Sequence, residues 1–268
     1  MIELIQITND PAFARRCDEM EGLRILVDLE RLGKAERQAG RDTFISSHTV
    51  ADVRMVRQVV RNGRLMVRVN PLNPGSRAEV EAVLAEGADL LMLPMFTRAA
   101  DLESFAELVD GRAPIVALLE TRSALECLPQ WIGIPGLYEV FVGLNDLHQS
   151  LGMRFMFEPL GQGIVDQVAT LAGSQGLRFG FGGIARVQEG LLCGRDVLGE
   201  HLRLGSTSVI LSRTFAGQGH HESFEAGLLA LRRAEEELSE RSGAEIEADA
   251  ARVKQSISAI AARMASSA

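Results

Sequence analysis

Short apolar runs alternate with amphipathic stretches along most of the chain. The predicted strands are ELIQIT (3–8), RILVDL (24–29), RLMVRVN (64–70), DLLMLPM (89–95), PIVALLE (114–120), EVFVGLN (139–145), RFGFGGI (178–184) and TSVILSR (207–213). Most are apolar nearly without interruption, the pattern of parallel strands covered on both faces. Between them, stretches such as SRAEVEAVLAEGA (76–88) and TRAADLESFAELVDG (97–111) have helical spacing, and each closes near a glycine suited to a C-cap. Eight such β-then-α units predict an α/β fold of the (β/α)8 barrel type over residues 1–215. A doubly wound open sheet is the alternative.

Two stretches sit outside this rhythm. DTFISSH (42–48) has strand character but falls between the second and third strands. It reads as part of a long loop running into a helix capped at Thr49, with Asp52 at the box position; a ninth strand is the other reading. Residues 216–268 form a charged C-terminal helical extension. Its last segment repeats Ile246, Ala250, Val253, Ile257, Ile260 and Met264 in steps of three and four. That stripe is too narrow to stand alone, so it packs on the barrel, on another subunit or as a lid; a subunit contact is the favoured expectation.

Composition narrows the partners. The chain has 46% hydrophobic and 24% charged residues, with 36 acids against 28 bases and a formal net charge of −8. Such a surface repels polyanions, so nucleic acid and acidic membranes are not expected. Cys17, Cys127 and Cys193 follow no pairing spacing and read as reduced thiols. The stretch MIELIQITNDPAFARR lacks a basic region ahead of a long apolar one, and no run approaches the roughly 20 residues of a membrane span. A cytoplasmic, unanchored protein is the expectation.

In a barrel, reactive groups gather where strands end and βα-loops begin. Asp28 and Glu30 follow strand two, Arg68 and Asn70 end strand three, and Glu120 closes strand five. Asn145 and Asp146 close strand six. Glu120 and Asp146 are thus carboxylates on neighbouring strand ends, one βα unit apart. Without a cation they would repel and raise each other's pKa. With no His or Cys adjoining either, the pair is an oxygen-only site suited to Mg²⁺ or Mn²⁺. Helix caps or salt bridges are the alternative use of such acids. Arg68, on an otherwise apolar strand, either neutralises an acid or clamps a substrate carboxylate.

At these residues the sequence resembles the HpcH/HpaI aldolase and citrate lyase β-subunit family. The resemblance runs through VRVNP (67–71), GADLLMLPMF (87–96), ALLETRSALECLPQWIGIPGLYEVFVGLNDLHQSLG (117–152) and the glycine-rich strand seven, covering about residues 1–215. Its specific part is E-T closing strand five followed by VGLNDL closing strand six. It implies a TIM barrel of the pyruvate/phosphoenolpyruvate superfamily, assembled as a homo-oligomer (trimer or hexamer). It also implies a divalent metal (Mg²⁺ or Mn²⁺, with Co²⁺ possible) on Glu120 and Asp146, and an arginine at Arg68 that steadies the carboxylate and enolate oxygen.

One departure is plain. Family aldolases carry Gly-Glu-His after strand two, whereas this chain has VDLERLGKAERQ, closer to the citrate lyase branch. His48, in ISSHTVADV, is the candidate to fill the proton-transfer role, and a histidine bonded at a helix start is the alternative. His148, two residues past Asp146, lines the rim on this reading, and the adjacent histidines of GHHES (219–223) read as solvated surface.

The implied chemistry is metal-dependent carbon–carbon bond making or breaking, through the enolate of pyruvate or a related 2-ketoacid, with an aldehyde or acyl partner. His48 or a water on the metal is the expected base. Substrate binding is assigned to Arg68, Asp28, Glu30, the backbone of Gly143, Leu144 and Asn145, and Arg37, one of a polar group with Lys34, Gln38 and Arg41. The near rival is an acyl-CoA lyase of the citrate or malyl type, although no basic cluster for nucleotide phosphates stands out. A barrel that binds metal and ketoacid without catalysis is the rival from another class.

Overall fold

The computed structural model describes residues 1–34, 46–215 and 223–266. Its eight strands follow in chain order in a closed barrel: β1 (Glu3–Ile7), β2 (Leu23–Asp28), β3 (Leu65–Arg68), β4 (Leu90–Leu93), β5 (Ile115–Leu119), β6 (Leu137–Val142), β7 (Arg178–Ile184) and β8 (Ser208–Leu211). The pairings are parallel, with Asp28 of β2 in register with Arg68 of β3, and Arg68 with Met92 of β4. All residues of β2, β4 and β5 are buried, which is why these strands read as unbroken apolar runs. The (β/α)8 expectation holds, and all eight predicted strands are present.

The chain divides into two compact units, Glu3–Phe141 and Val142–Ala268 with Met1–Ile2. The division therefore falls at the end of β6, whereas the sequence suggested residue 215; the C-terminal helices belong with β7 and β8.

In the first unit, β1 to β6 alternate with α1 (Pro11–Asp18), α2 (Val50–Arg57), α3 (Ser76–Ala85), α4 (Ala99–Val109), α5 (Arg122–Glu126) and α6 (Leu128–Trp131). The caps follow from sequence. Asp10 accepts the Ala12 N–H at 2.8 Å ahead of Pro11, which opens α1. At α2, the Asp52 carboxylate accepts the Thr49 N–H at 2.6 Å, the back-reaching half of the expected box. Residues 46–49 carry no strand, and the rest of DTFISSH lies outside the described residues. At α4, Asp110 takes the left-handed conformation at φ 50° and Gly111 follows at 66°.

One interior position breaks the apolar pattern. Arg24, on β2, is fully buried; its Nη1 donates to Glu139 of β6 at 2.7 Å and its Nη2 to Glu3 of β1. Burial opposes the Arg24 charge, but Glu139 and Glu3 raise its pKa overall.

The second unit carries α7 (Leu144–Ser150), α8 (Glu158–Gly161), α9 (Ile164–Ser174), α10 (Gly194–Arg203), a 3₁₀ turn (Arg213–Phe215), α11 (Phe224–Ser239) and α12 (Gly243–Ser266). Val253, Ile257 and Ile260 of the α12 stripe are buried within the chain's own structure, and Ile257 lies against Gly161, where a Cβ would stand 3.0 Å from its Cγ2. The middle of the stripe is thus already covered, and the favoured expectation of a subunit contact gives way to packing on α8. On α11, Glu235 accepts the Ile2 N–H at 2.6 Å and pairs with Arg232 at 2.7 Å. His201 of α10 is fully buried, stacked on Phe181 of β7 with ring centroids 3.7 Å apart. Its Nδ1 shares a 2.7 Å hydrogen bond with Ser206, and Nε2 has no partner among the described residues.

No helix among the described residues is long and apolar enough to cross a membrane.

Candidate active site

The expected group on the first unit assembles around Arg68. Arg68 is the last residue of β3, and its register partner Asp28 is the last of β2, so the pleat points both side chains the same way. Asp28 accepts from Arg68 Nε at 2.8 Å and from Nη2 at 2.7 Å, a fork-to-fork pair. It also accepts from Lys34 Nζ at 3.1 Å, and Lys34 pairs with Glu30 at 3.2 Å. Glu30 in turn lies 3.5 Å from Arg68 Nε.

Asp28 is buried, and burial alone would favour its neutral form. The charge and hydrogen bonds of Arg68, followed by those of Lys34, outweigh burial and hold the carboxyl well below the usual carboxylate range. Burial likewise opposes the Arg68 charge, but Asp28, then Glu30 and Glu120, raise its pKa far above the ordinary value. The guanidinium is a permanent cation whose Nε/Nη2 edge is taken by Asp28. Nη1 takes no part in that pair.

This geometry corrects part of the sequence reading. Asp28 and Glu30 were expected to bind substrate. Here their carboxylates are engaged by Arg68 and Lys34, so they hold the cations in place instead.

Glu120 is the first residue beyond β5 and is only 4% exposed. Its Oε1 accepts the Met95 N–H at 3.1 Å. Met95 has φ 56°, a left-handed conformation uncommon for a residue with a side chain, and this kink just after β4 brings its N–H to the carboxylate. Thr121 sets the exit from the strand. Its hydroxyl donates to the Phe96 carbonyl at 2.8 Å and accepts the Ala124 N–H at 3.1 Å, capping α5. The E-T pair therefore has separate duties: Thr121 fixes the turn and Glu120 stands at the strand end.

His48 lies buried beside Asp28. The Asp28 N–H donates to His48 Nδ1 at 3.0 Å, so Nδ1 is unprotonated and the neutral ring carries its hydrogen on Nε2. Burial pushes the His48 pKa down; Asp28 and Asp52 oppose this, and the positive charges of Arg31 and Lys34 add to it. A neutral ring with its hydrogen on Nε2 donates there, and its one basic nitrogen is occupied. The expectation of His48 as a base is thus redirected towards hydrogen-bond donation.

Sequence reasoning gave Asn70 only a place at a strand end. Its side chain is spent on the loop after β2: Oδ1 accepts the N–H groups of Arg31 at 2.9 Å and Leu32 at 3.0 Å, while Nδ2 donates to Glu79 at 2.7 Å. Arg37, Gln38 and Arg41 lie outside the described residues, as do His220 and His221.

The remaining predicted residues belong to the second unit. Gly143 is the N-cap of α7, Leu144 is buried, and Asn145 and Asp146 are half-buried in the first turn. Asn145 and Asp146 are therefore helical, beyond the end of β6 at Val142. His148 is turned inward: its Nδ1 lies 3.1 Å from the Leu144 carbonyl, one turn back on its own helix. Gly182 of β7 adopts φ 55°, and a Cβ there would come within 2.8 Å of Leu144 Cδ1. The glycines of RFGFGGI thus admit the start of α7.

The donors proposed for a metal are carboxylate oxygens, and among the described residues no group of three or more His, Cys, Asp or Glu forms a ready cation cage. A donor set of one or two carboxylates suits a hard ion such as Mg²⁺, which keeps its other positions for water and substrate oxygens. It does not suit structural zinc, which is closed by four protein ligands, commonly with sulfur or imidazole among them.

Residues 6–158 match the family model described as HpcH/HpaI aldolase/citrate lyase. A segment of 91 residues is 36% identical to a (3S)-malyl-CoA thioesterase of Cereibacter sphaeroides, covering 34% of this chain and 32% of that relative. A thioesterase of the same name from another strain is 28% identical over 147 residues, 53% of this chain and 48% of its own length. The chain thus matches between about a third and a half of the length of these curated relatives. Among solved structures, an HpcH/HpaI aldolase from Desulfitobacterium hafniense aligns with TM-score 0.61 at 18% identity, over 90% of this chain and 94% of that one. The citrate lyase beta subunit from M. tuberculosis complexed with oxaloacetate and magnesium aligns with TM-score 0.60 at 17% identity, over 87% and 96%. At these identities the likeness to the solved structures is one of fold.

Proposed function

The chain belongs to the HpcH/HpaI aldolase/citrate lyase family of lyase- and aldolase-type enzymes, and from that premise we propose that it makes or breaks a carbon–carbon bond next to the carbonyl of a 2-ketoacid such as pyruvate. The observation that carries this reading is the pinned guanidinium of Arg68, locked along one edge by Asp28 and close enough to Glu120 to feel its charge. An arginine so held is pre-organised for a planar anion, because little side-chain freedom remains to be lost on binding.

Glu120 and Asp146 are the proposed holders of a divalent ion, on the strength of the two family motifs and their all-oxygen chemistry. When bound, such an ion supplies Lewis acidity that polarises the ketoacid carbonyl. The chain's own residues do the rest. Arg68 presents Nη1 to the substrate carboxylate and to the oxygen on which negative charge grows as the bond to the α-carbon breaks. His48 donates from Nε2 to a substrate oxygen, its tautomer set by the Asp28 N–H, and the proton released from the aldol hydroxyl, or from the pyruvate methyl in enolisation, passes to water at the site. Lys34 pairs with both Asp28 and Glu30, so the carboxylates around Arg68 stay in place when substrate leaves. The N–H groups opening α7, from Leu144 to Asp146, add donors for a carboxylate. An oligomeric, cytoplasmic enzyme remains the setting proposed from the resemblance.

A second reading is an acyl-CoA lyase, in which the carbon–carbon bond broken lies in an acyl-CoA with a 2-oxoacid or aldehyde as the other half; the malyl-CoA thioesterases among the relatives favour it as far as an acyl-CoA substrate, their own named reaction being thioester cleavage. The two differ in which half carries the enolate: the 2-ketoacid in the first, the acyl thioester in the second.

The test is exchange of the pyruvate methyl hydrogens for deuterium with Mg²⁺, Mn²⁺ and Co²⁺ in parallel. Metal-dependent exchange is expected, lost in Glu120→Gln and Asp146→Asn. Unchanged exchange in metal-stripped protein would overturn the proposal. Turnover of malyl-CoA but not of hydroxy-ketoacids would select the second reading.

A further inference from the structure

We propose that Asn70 is a positioning residue that holds residues 31–34, just after β2, and through Arg31 also His48, just ahead of α2, beside Arg68. Its importance for the reaction rests on the function proposed above; its mechanical role does not.

Glu79 fixes the direction of every hydrogen bond that the Asn70 side chain makes. Glu79, on α3, offers only acceptors, so the Asn70 amide must turn Nδ2 towards it, which the 2.7 Å contact satisfies. The Asn70 backbone N–H also faces the Glu79 carboxylate, at 3.2 and 3.3 Å. With the amide oriented, Oδ1 faces the two consecutive N–H groups of Arg31 and Leu32 and accepts both. Burial raises the Glu79 pKa, while the hydrogen bonds from Asn70 pull the other way.

Arg31 carries the effect onward. Its Nη2 donates to the His48 carbonyl at 2.7 Å, so the pinned residue also holds His48, just ahead of α2. His48 closes the circuit by accepting the Asp28 N–H. Both flanks of the segment between β2 and α2 are therefore tied to the end of β3 through one amide. The Asn70 oxygen is already shared between two backbone donors. Asn70 acts through Arg31, Leu32 and their neighbours Glu30 and Lys34.

The bond directions give a test that a merely space-filling residue would fail. In Asn70→Asp one oxygen still accepts from Arg31 and Leu32, but the other faces the Glu79 carboxylate and repels it. In Asn70→Asp with Glu79→Gln, the glutamine amide donates to that oxygen and the circuit is restored with its polarity reversed. Hydrogen–deuterium exchange of residues 29–34 is the first readout. It should quicken about tenfold in Asn70→Asp, as expected for losing one hydrogen bond's worth of local stability, and return towards wild type in the double variant. Pyruvate-methyl exchange should fall and recover in parallel, with thermal midpoint unchanged between Glu79→Gln and the double variant.

Unchanged exchange of 29–34 in Asn70→Asp, or a double variant no better than the single, overturns the proposal. Should Asn70→Asp fail to fold, Asn70→Ser is compared by the same exchange measurement, with the same quickening expected. Restored loop protection without any enolisation in the wild type would sink the functional reading alone.

Discussion

Acidification should destabilise the fold through His201. The ring is fully buried, stacked on Phe181, with Nδ1 engaged by Ser206 and Nε2 lacking a partner among the described residues. A proton on Nε2 would be a charge in an apolar wall, and burial pushes the pKa from 6.5 down to about 3. In the unfolded chain the ring regains its ordinary value. Between these two values the unfolded state therefore binds the extra proton. Stability rises with pH through this window and is lost as the pH falls from about 6.5 towards 3.

At pH 5 the unfolded ring is almost fully protonated and the folded ring is not. The gap of about 1.5 pH units then costs about 2 kcal/mol relative to pH 7. With a urea m-value of about 3 kcal/mol/M, the midpoint should fall by about 0.7 M more in wild type than in His201→Leu. The assay is urea denaturation at pH 7 and pH 5 for both proteins, read by near- and far-ultraviolet circular dichroism. The comparison of slopes cancels whatever the leucine does at neutral pH. A folded His201→Leu variant with the same loss between pH 7 and pH 5 as wild type would refute the reasoning.

Other outcomes follow from the site. Asp28→Asn removes the charged partner of a buried guanidinium, and should cost up to about 3 kcal/mol in urea denaturation while weakening ketoacid binding in calorimetry; equal affinity would show that Arg68 needs no such lock. Gly182→Ala forces a Cβ into a left-handed position at φ 55° and against Leu144, and should cost roughly 1–2 kcal/mol in thermal or urea melts. No measurable change there would mean that β7 and the start of α7 adjust freely.

The barrel was legible because its signal is repetitive: eight apolar runs, each burying both faces, leave little else for the chain to do. The ends of those runs were less legible. PIVALLE reads as a strand through Glu120, but the ladder stops at Leu119 because Thr121 turns the backbone into α5. EVFVGLN likewise reads on to Asn145, which instead lies in the first turn of α7. Side-chain duties were harder again. Arg68 was recognisable as a lone charge on an apolar strand, yet its partner Asp28 could be paired with it only once register was known. The Met95 kink has no signal in its residue type, since methionine rarely takes φ 56°. The α12 stripe showed that something covers it, and periodicity alone is silent on whether the cover is its own chain.

Arg24 has a consequence for anyone who wishes to divide this polypeptide. Its two counter-ions come from the first strand and the sixth, so a fragment ending ahead of Leu137 keeps Glu3 but leaves behind Glu139. Such a piece would carry a half-compensated guanidinium in an apolar wall and be poorly soluble. A split-reporter or complementation pair cut after Phe141 keeps the ionic triad on one side of the break.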